Sequence, residues 1–117
     1  MGADELRYRT NPVRYVADML GNKWALLILC ELHARKDGSM RMADLCRRMN
    51  DCSRKLITLT LHKLTDDRLV VKTLTDERTP HVEYGLTETG KTLVPYIENL
   101  IKWTKLNYQI TDNLYTD

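Results

Sequence analysis

The chain has 117 residues, is 43% apolar and 29% charged, and carries a formal net charge of +2. That length suits one domain with a buried core, and that balance excludes a disordered chain. The longest apolar run, Trp24 to Cys30, is far shorter than the roughly 18 residues a membrane helix needs, so no membrane partner is expected. The opening MGADELRYRT is charged and has no apolar centre, so no signal peptide is expected and the protein reads as cytoplasmic.

Residues 1–10 read as an N-terminal arm, 11–111 as the domain and 112–117 as a C-terminal tail. Asn11-Pro12 predicts a helix start, since Asn is a preferred cap and Pro is tolerated at the first position. Val13, Val16, Ala17 and Leu20 then recur at helical spacing up to Gly21. Trp24 to His33 is apolar almost all round, which predicts a central buried helix ending at Lys36-Asp37-Gly38-Ser39. Ala43 to Met49 is a short amphipathic helix with Met42, Leu45, Cys46 and Met49 on one face. After the polar turn Asn50-Asp51-Cys52, Ser53 caps a helix to about Asp66 with Leu56, Ile57, Leu61 and Leu64 as its apolar set. Leu69 to Thr75 and Val82 to Leu86 are β-branched and partly alternating, so they predict a hairpin with Arg78, Pro80 and His81 near its tip. Thr87 caps a long helix to about Ile110, with Pro95 expected to kink it.

Two short helices joined by a tight turn, then a hairpin and a long helix, give a mainly α fold with a small β-hairpin: a winged helix-turn-helix. In that plan the second helix of the pair enters the major groove and the hairpin reaches the flanking backbone or minor groove. Charge supports double-stranded DNA as the partner. From Arg41 to Lys63 six basic residues face only Asp44 and Asp51, a local +4. The candidate DNA contacts are Arg41, Ser53, Arg54, Lys55, Thr58, Leu59, His62 and Lys63, with Arg78 and His81 on the wing. Arg54 or Lys55 is expected to meet a guanine edge or a phosphate, and Thr58 and Leu59 a thymine methyl. Burial of Leu59 against the preceding helix is the alternative, as is a structural role for His81.

The stretches NPVRYVADMLGNKWALLILCEL, SRKLITLTLHKLTDDRLV and TPHVEYGLTETGKTLVPYIENLIKW together resemble the HxlR-type family of bacterial transcriptional regulators across about Asn11 to Thr104. The resemblance implies a homodimeric DNA-binding repressor or activator whose terminal helices form the dimer. Val13 and Val16 on the first helix and Tyr96, Leu100, Trp103, Leu106 and Ile110 on the last are the candidate interface. Four positions depart from the family's pattern. Asn11 stands where many members carry a redox-sensing cysteine. Leu59 and Thr60 replace a frequent pair of polar readers. Arg68 replaces a glycine closing the recognition helix, and Ala43 replaces a capping serine.

The apolar stripe of the last helix is longer than one small domain needs, which by itself suggests a twofold interface presented to a second copy. Such a pair predicts a palindromic operator with half-sites about 34 Å apart. Tyr15, Trp24 and Trp103 are candidates to line a pocket for an unknown small-molecule effector, or are simply core. Three cysteines without a C-x-x-C pair predict neither a disulfide framework nor a metal site. Cys30 and Cys46 read as core, and Cys52, expected to be exposed before the recognition-helix cap, is the candidate redox thiol. His33, His62 and His81 lie on separate elements without a nucleophile at a recognised spacing, and no phosphate-binding glycine loop occurs, so neither catalysis nor a cofactor is expected. The expected function is a DNA-binding regulator that represses by occluding a promoter. The alternative is a winged-helix module for protein–protein interaction with an incidental basic face.

Overall fold

The structure, a computed structural model, describes residues 11–75 and 78–108. The arm 1–10, the tail 112–117 and Ile110 lie outside the described residues. Asn11 caps helix α1 (Pro12–Leu20), its side-chain oxygen accepting from the Arg14 amide at 3.1 Å. Gly21 ends α1 in a right-handed conformation (φ −80°), not the left-handed one expected of a terminal glycine. The next cap follows at once: the Asn22 side chain accepts from the Ala25 amide at 3.0 Å and starts α2 (Lys23–His33). Ala25, Ile28, Leu29 and Leu32 of α2 are fully buried, as the all-round apolar run predicts.

Gly38 turns the chain with φ +71°, and strand β1 (Ser39–Arg41) follows, an element the sequence did not reveal. Three residues carry no period of their own. They become a strand because β3 (Val82–Leu86) offers them an edge, pairing Ser39 with Gly85, Met40 with Tyr84 and Arg41 with Glu83. The sheet is therefore three-stranded and antiparallel, in the order β1-β3-β2, with β2 (Val70–Leu74) forming the expected hairpin.

Helix α3 (Met42–Arg48) is capped by Arg41, which makes no side-chain cap bond. Ala43 is thus the second helical residue, and the uncapped start belongs to Arg41. Arg48 of α3 grips the buried carboxylate of Glu31 on α2 through Nε at 3.1 Å and Nη2 at 3.4 Å, which fixes the two helices against each other. Helix α4 (Arg54–Asp66) starts at Ser53, whose Oγ accepts from the Leu56 amide at 3.1 Å. Ile57, Leu61 and Leu64 are fully buried as expected, whereas Leu56 is 38% exposed. Thr60 takes the remaining buried position, its hydroxyl donating to the Leu56 carbonyl at 2.7 Å.

The end of α4 is a six-residue closure. The Leu69 amide donates to the Leu64 carbonyl and the Arg68 amide to that of Thr65, each at 3.0 Å, with Arg68 left-handed at φ 62°. Thr87 locks this turn to the last helix, α5 (Glu88–Tyr108). Its hydroxyl donates to the Arg68 carbonyl at 2.6 Å and accepts from the Gly90 amide at 3.0 Å. A Cβ at Gly90 would collide with the Leu69 carbonyl oxygen, so only glycine allows this approach. Helix α5 continues through Pro95, and its Val94 and Ile97 reach the core. The core thus joins α2, α3, α4, the sheet and one side of α5. A helix-turn-helix pair followed by a hairpin is the winged-helix arrangement expected from the sequence.

Candidate nucleic-acid interface

Helix α4 presents a face that the core does not use. Ile57, Thr60, Leu61 and Leu64 turn inward, leaving Arg54, Lys55, Leu59 and His62 exposed on the other side. Leu59 is 55% exposed, so more than half of its surface faces solvent. Thr58 is half-buried and donates its hydroxyl to the Arg54 carbonyl at 2.9 Å, so its methyl and oxygen lone pairs remain for a ligand. With Ser53 as cap and no acidic residue in the first turn, the positive end of the helix dipole is uncompensated there.

Thr60, which stands where the family often has a polar reader, lies on the buried face and was not among the expected contacts. Two expectations are corrected. Lys63 is half-buried and its Nζ lies 3.2 Å from the Asp67 carboxylate, so its charge is engaged at the far end of α4. His81 does not project from the wing. Its Nδ1 lies 3.1 Å from the Thr75 hydroxyl and 3.0 Å from the Thr79 carbonyl oxygen, and its Nε2 lies 3.3 Å from Glu83. The ring ties the hairpin together from within, while Arg78 at the tip is exposed.

Between the start of α4 and the wing lies a cleft of about 390 Å³ bounded by Arg41, Arg54, Thr58, Lys72, His81 and Tyr84, among others. Lys72 was missed in the sequence. The sequence offered only its place in the predicted strand Leu69 to Thr75.

A second exposed face, on α1 and α5, is apolar. Val13 (79%), Val16, Tyr96, Leu100, Trp103 and Leu106 (84%) are all exposed, and a groove of about 330 Å³ runs between α1 and α5. Tyr15 lines it with Val16, Leu20, Tyr96 and Leu100, but Trp24 and Trp103 do not, which corrects the expected effector pocket. Trp24 instead lies under the Lys23 ammonium, 4.7 Å from the ring centroid, and Trp103 meets Tyr108 edge-on at 5.6 Å.

Cys52 is buried rather than exposed, and burial followed by the nearby Asp51 charge pushes its thiol pKa up. Both effects disfavour the thiolate that a redox sensor needs. Burial also raises Cys30, with Glu98 and Glu31 adding to it. Among the described residues no cluster of His, Cys, Asp and Glu could hold a metal ion, and no described helix is long and apolar enough to cross a membrane.

Residues 19–112 match the family described as HxlR-like helix-turn-helix. The chain belongs to that family. An HTH-type transcriptional regulator of Methanothermobacter thermautotrophicus is 35% identical over 94 residues, covering 80% of this chain and 70% of the relative. The HTH-type transcriptional regulator YdzF of Bacillus subtilis is 32% identical over 97 residues, covering 83% and 87%. Among solved structures, the redox regulator HypR in its reduced form superposes with a TM-score of 0.71 at 30% identity, covering 83% of this chain and 93% of that one. As an HxlR-type protein the chain is a helix-turn-helix transcriptional regulator and not an enzyme. DNA is the ligand of such regulators.

Proposed function

We propose that this HxlR-type regulator is a cytoplasmic homodimer that represses by occluding a promoter at a palindromic operator. Each copy lays α4 in the major groove, with Ser53, Arg54 and Lys55 at its entering end and Thr58 and Leu59 against thymine methyls. Arg78 reaches the flanking backbone or minor groove. Helices α1 and α5 of the two copies meet through Val13, Val16, Tyr96, Leu100, Trp103 and Leu106.

The observation that carries this reading is the outward face of α4: capped, free of acid in its first turn, and exposing Lys55, Leu59 and His62 beside Arg54. An exposed leucine on a cationic helix gains nothing in water, whereas it suits a thymine methyl. The test is fluorescence anisotropy on a random-sequence duplex across salt concentrations. A DNA regulator loses affinity steeply as salt rises, while a protein–protein adaptor with an incidental basic face shows almost no dependence.

A further inference from the structure

We infer that the Glu31–Arg48 ion pair is a positioning device that sets the pitch of α4 for reading bases, and that Arg48, though basic and close to the reader, is not a DNA contact. The inference rests on the DNA-binding reading and deepens it by separating residues that act through α4 from those that touch the duplex.

Among the described residues Glu31 is the one charged side chain buried in the fold, at 6% exposure. It lies near the end of α2, and Arg48 is the final residue of α3. The guanidinium meets the carboxylate as a fork, Nε donating to one oxygen at 3.1 Å and Nη2 to the other at 3.4 Å. Burial strips such a pair of water, and exchanging it for packed apolar side chains is commonly neutral or stabilising. Stability is therefore a weak reason for a carboxylate at this depth. Geometry is a better one. Apolar contact is non-directional, so a short helix held by Leu45 and Met49 alone keeps freedom to turn and slide. A two-pronged guanidinium–carboxylate contact fixes angle as well as distance.

The place of the clamp decides what that angle serves. Helix α2 is the central element, packing on α4 as well as on α5 and the sheet. Directly after Arg48 comes Met49, fully buried, whose carbonyl accepts from the Cys52 amide at 3.0 Å to close the turn. Ser53 then caps α4. With only that turn between clamp and cap, the angle of α3 sets the entering end of the reader. Phosphate attraction is electrostatic and indifferent to sequence, so it survives a small tilt of α4, whereas hydrogen bonds to base edges do not. The clamp therefore bears on sequence discrimination rather than on affinity for DNA in general.

The test begins with a high-affinity duplex selected by the wild type from a random-sequence pool. Affinity for that duplex and for a random duplex is then measured by anisotropy across salt concentrations. The main variant combines Glu31→Met with Arg48→Met, which removes both charges and leaves apolar chains in their place. Its affinity and salt slope on the random duplex are expected to match wild type, with a thermal midpoint no lower. Its discrimination between the two duplexes is expected to fall about tenfold or more, the worth of one base pair. Glu31→Gln leaves Arg48 intact but takes one prong from the fork, so a loss of discrimination there cannot come from a deleted DNA contact. It is expected to shift discrimination in the same direction, and it carries the test if the double variant does not fold. Wild-type discrimination in either variant, once folded, makes the pair merely structural and overturns the inference. A salt slope shallower by about 0.9 in the double variant makes Arg48 a phosphate contact and also overturns it. Both outcomes leave the DNA-binding reading intact. A wild type that selects no duplex and binds without salt dependence sinks both.

Discussion

The α4 face and the α1–α5 face are both exposed, yet they are built on opposite terms. On α4 the backbone is finished: Ser53 closes the start, the Arg68 turn closes the end, and what projects is mostly cationic or polar. On α1 and α5 the helices are equally well formed, but what projects is apolar, from Val13 to Leu106. Water tolerates the first arrangement indefinitely. It disfavours the second by about 25 cal/mol for each Å² left uncovered. One side presents charge that water solvates well, while the other presents apolar surface that water disfavours. The difference shows that exposure alone does not mark a functional site; the chemistry of what is exposed says whether salt or apolar burial governs the partner.

The largest effect that separates these faces from the scaffold beneath them comes from Leu61→Ala, which opens a void where α4 meets the core. It is expected to destabilise the fold by about 2–5 kcal/mol in denaturant titration, with both faces lost together. Leu106→Glu strikes the apolar side alone. It is expected to leave the denaturation midpoint of the monomer unchanged within about 0.5 kcal/mol while dissociating the pair in sedimentation. A midpoint that falls as for a core residue would show Leu106 packed within its own chain. Ser53→Ala strikes the cationic side, removing the cap of α4 at a cost of about 1 kcal/mol in thermal unfolding. Arg68→Gly works in the other direction, relieving the left-handed strain after α4 and stabilising by roughly 1 kcal/mol. The smallest effect belongs to pH. The thiols of Cys30 and Cys52 and the phenol of Tyr84 are raised in the fold, all chiefly by burial. A raised pKa means that the native state holds its protons longer. Their stabilising share is therefore complete below the ordinary thiol range of about 8.5 and is lost as pH climbs through it and on through the tyrosine range. Unfolding measured from pH 7 to 10 checks this, and Cys52→Ala is expected to flatten the decline.

What was legible in the sequence follows from how local its causes are. The caps at Asn11, Ser53 and Thr87 act within three residues, so their chemistry can be read without knowing the fold. The left-handed turn at Arg68 was legible only through the family's glycine, since arginine itself gives no sign of it. Strand β1 was hidden because its partner lies more than forty residues away, and no period can show in three residues. His81 misled for a related reason: it is polar, and it satisfies its hydrogen bonds inside the protein, across the hairpin. Lys72 escaped notice because a lone lysine in a strand gives no sign, before folding, of the cleft it lines. For Cys52 the turn after α3 was legible, but its depth depends on how α3 and α4 close over it.

The junction where Thr87 and Gly90 sit against Arg68 and Leu69 has a mechanical result. With a hydroxyl bridging the two and no room even for a methyl group, α5 cannot tilt without carrying the tail of α4 along. The long rod and the end of α4 are thereby tied at one junction. In a pair of copies tied in this way, the crossing angle of the rods would set the pitch of both readers, so a substitution in the seam of α5 would retune operator spacing from a distance.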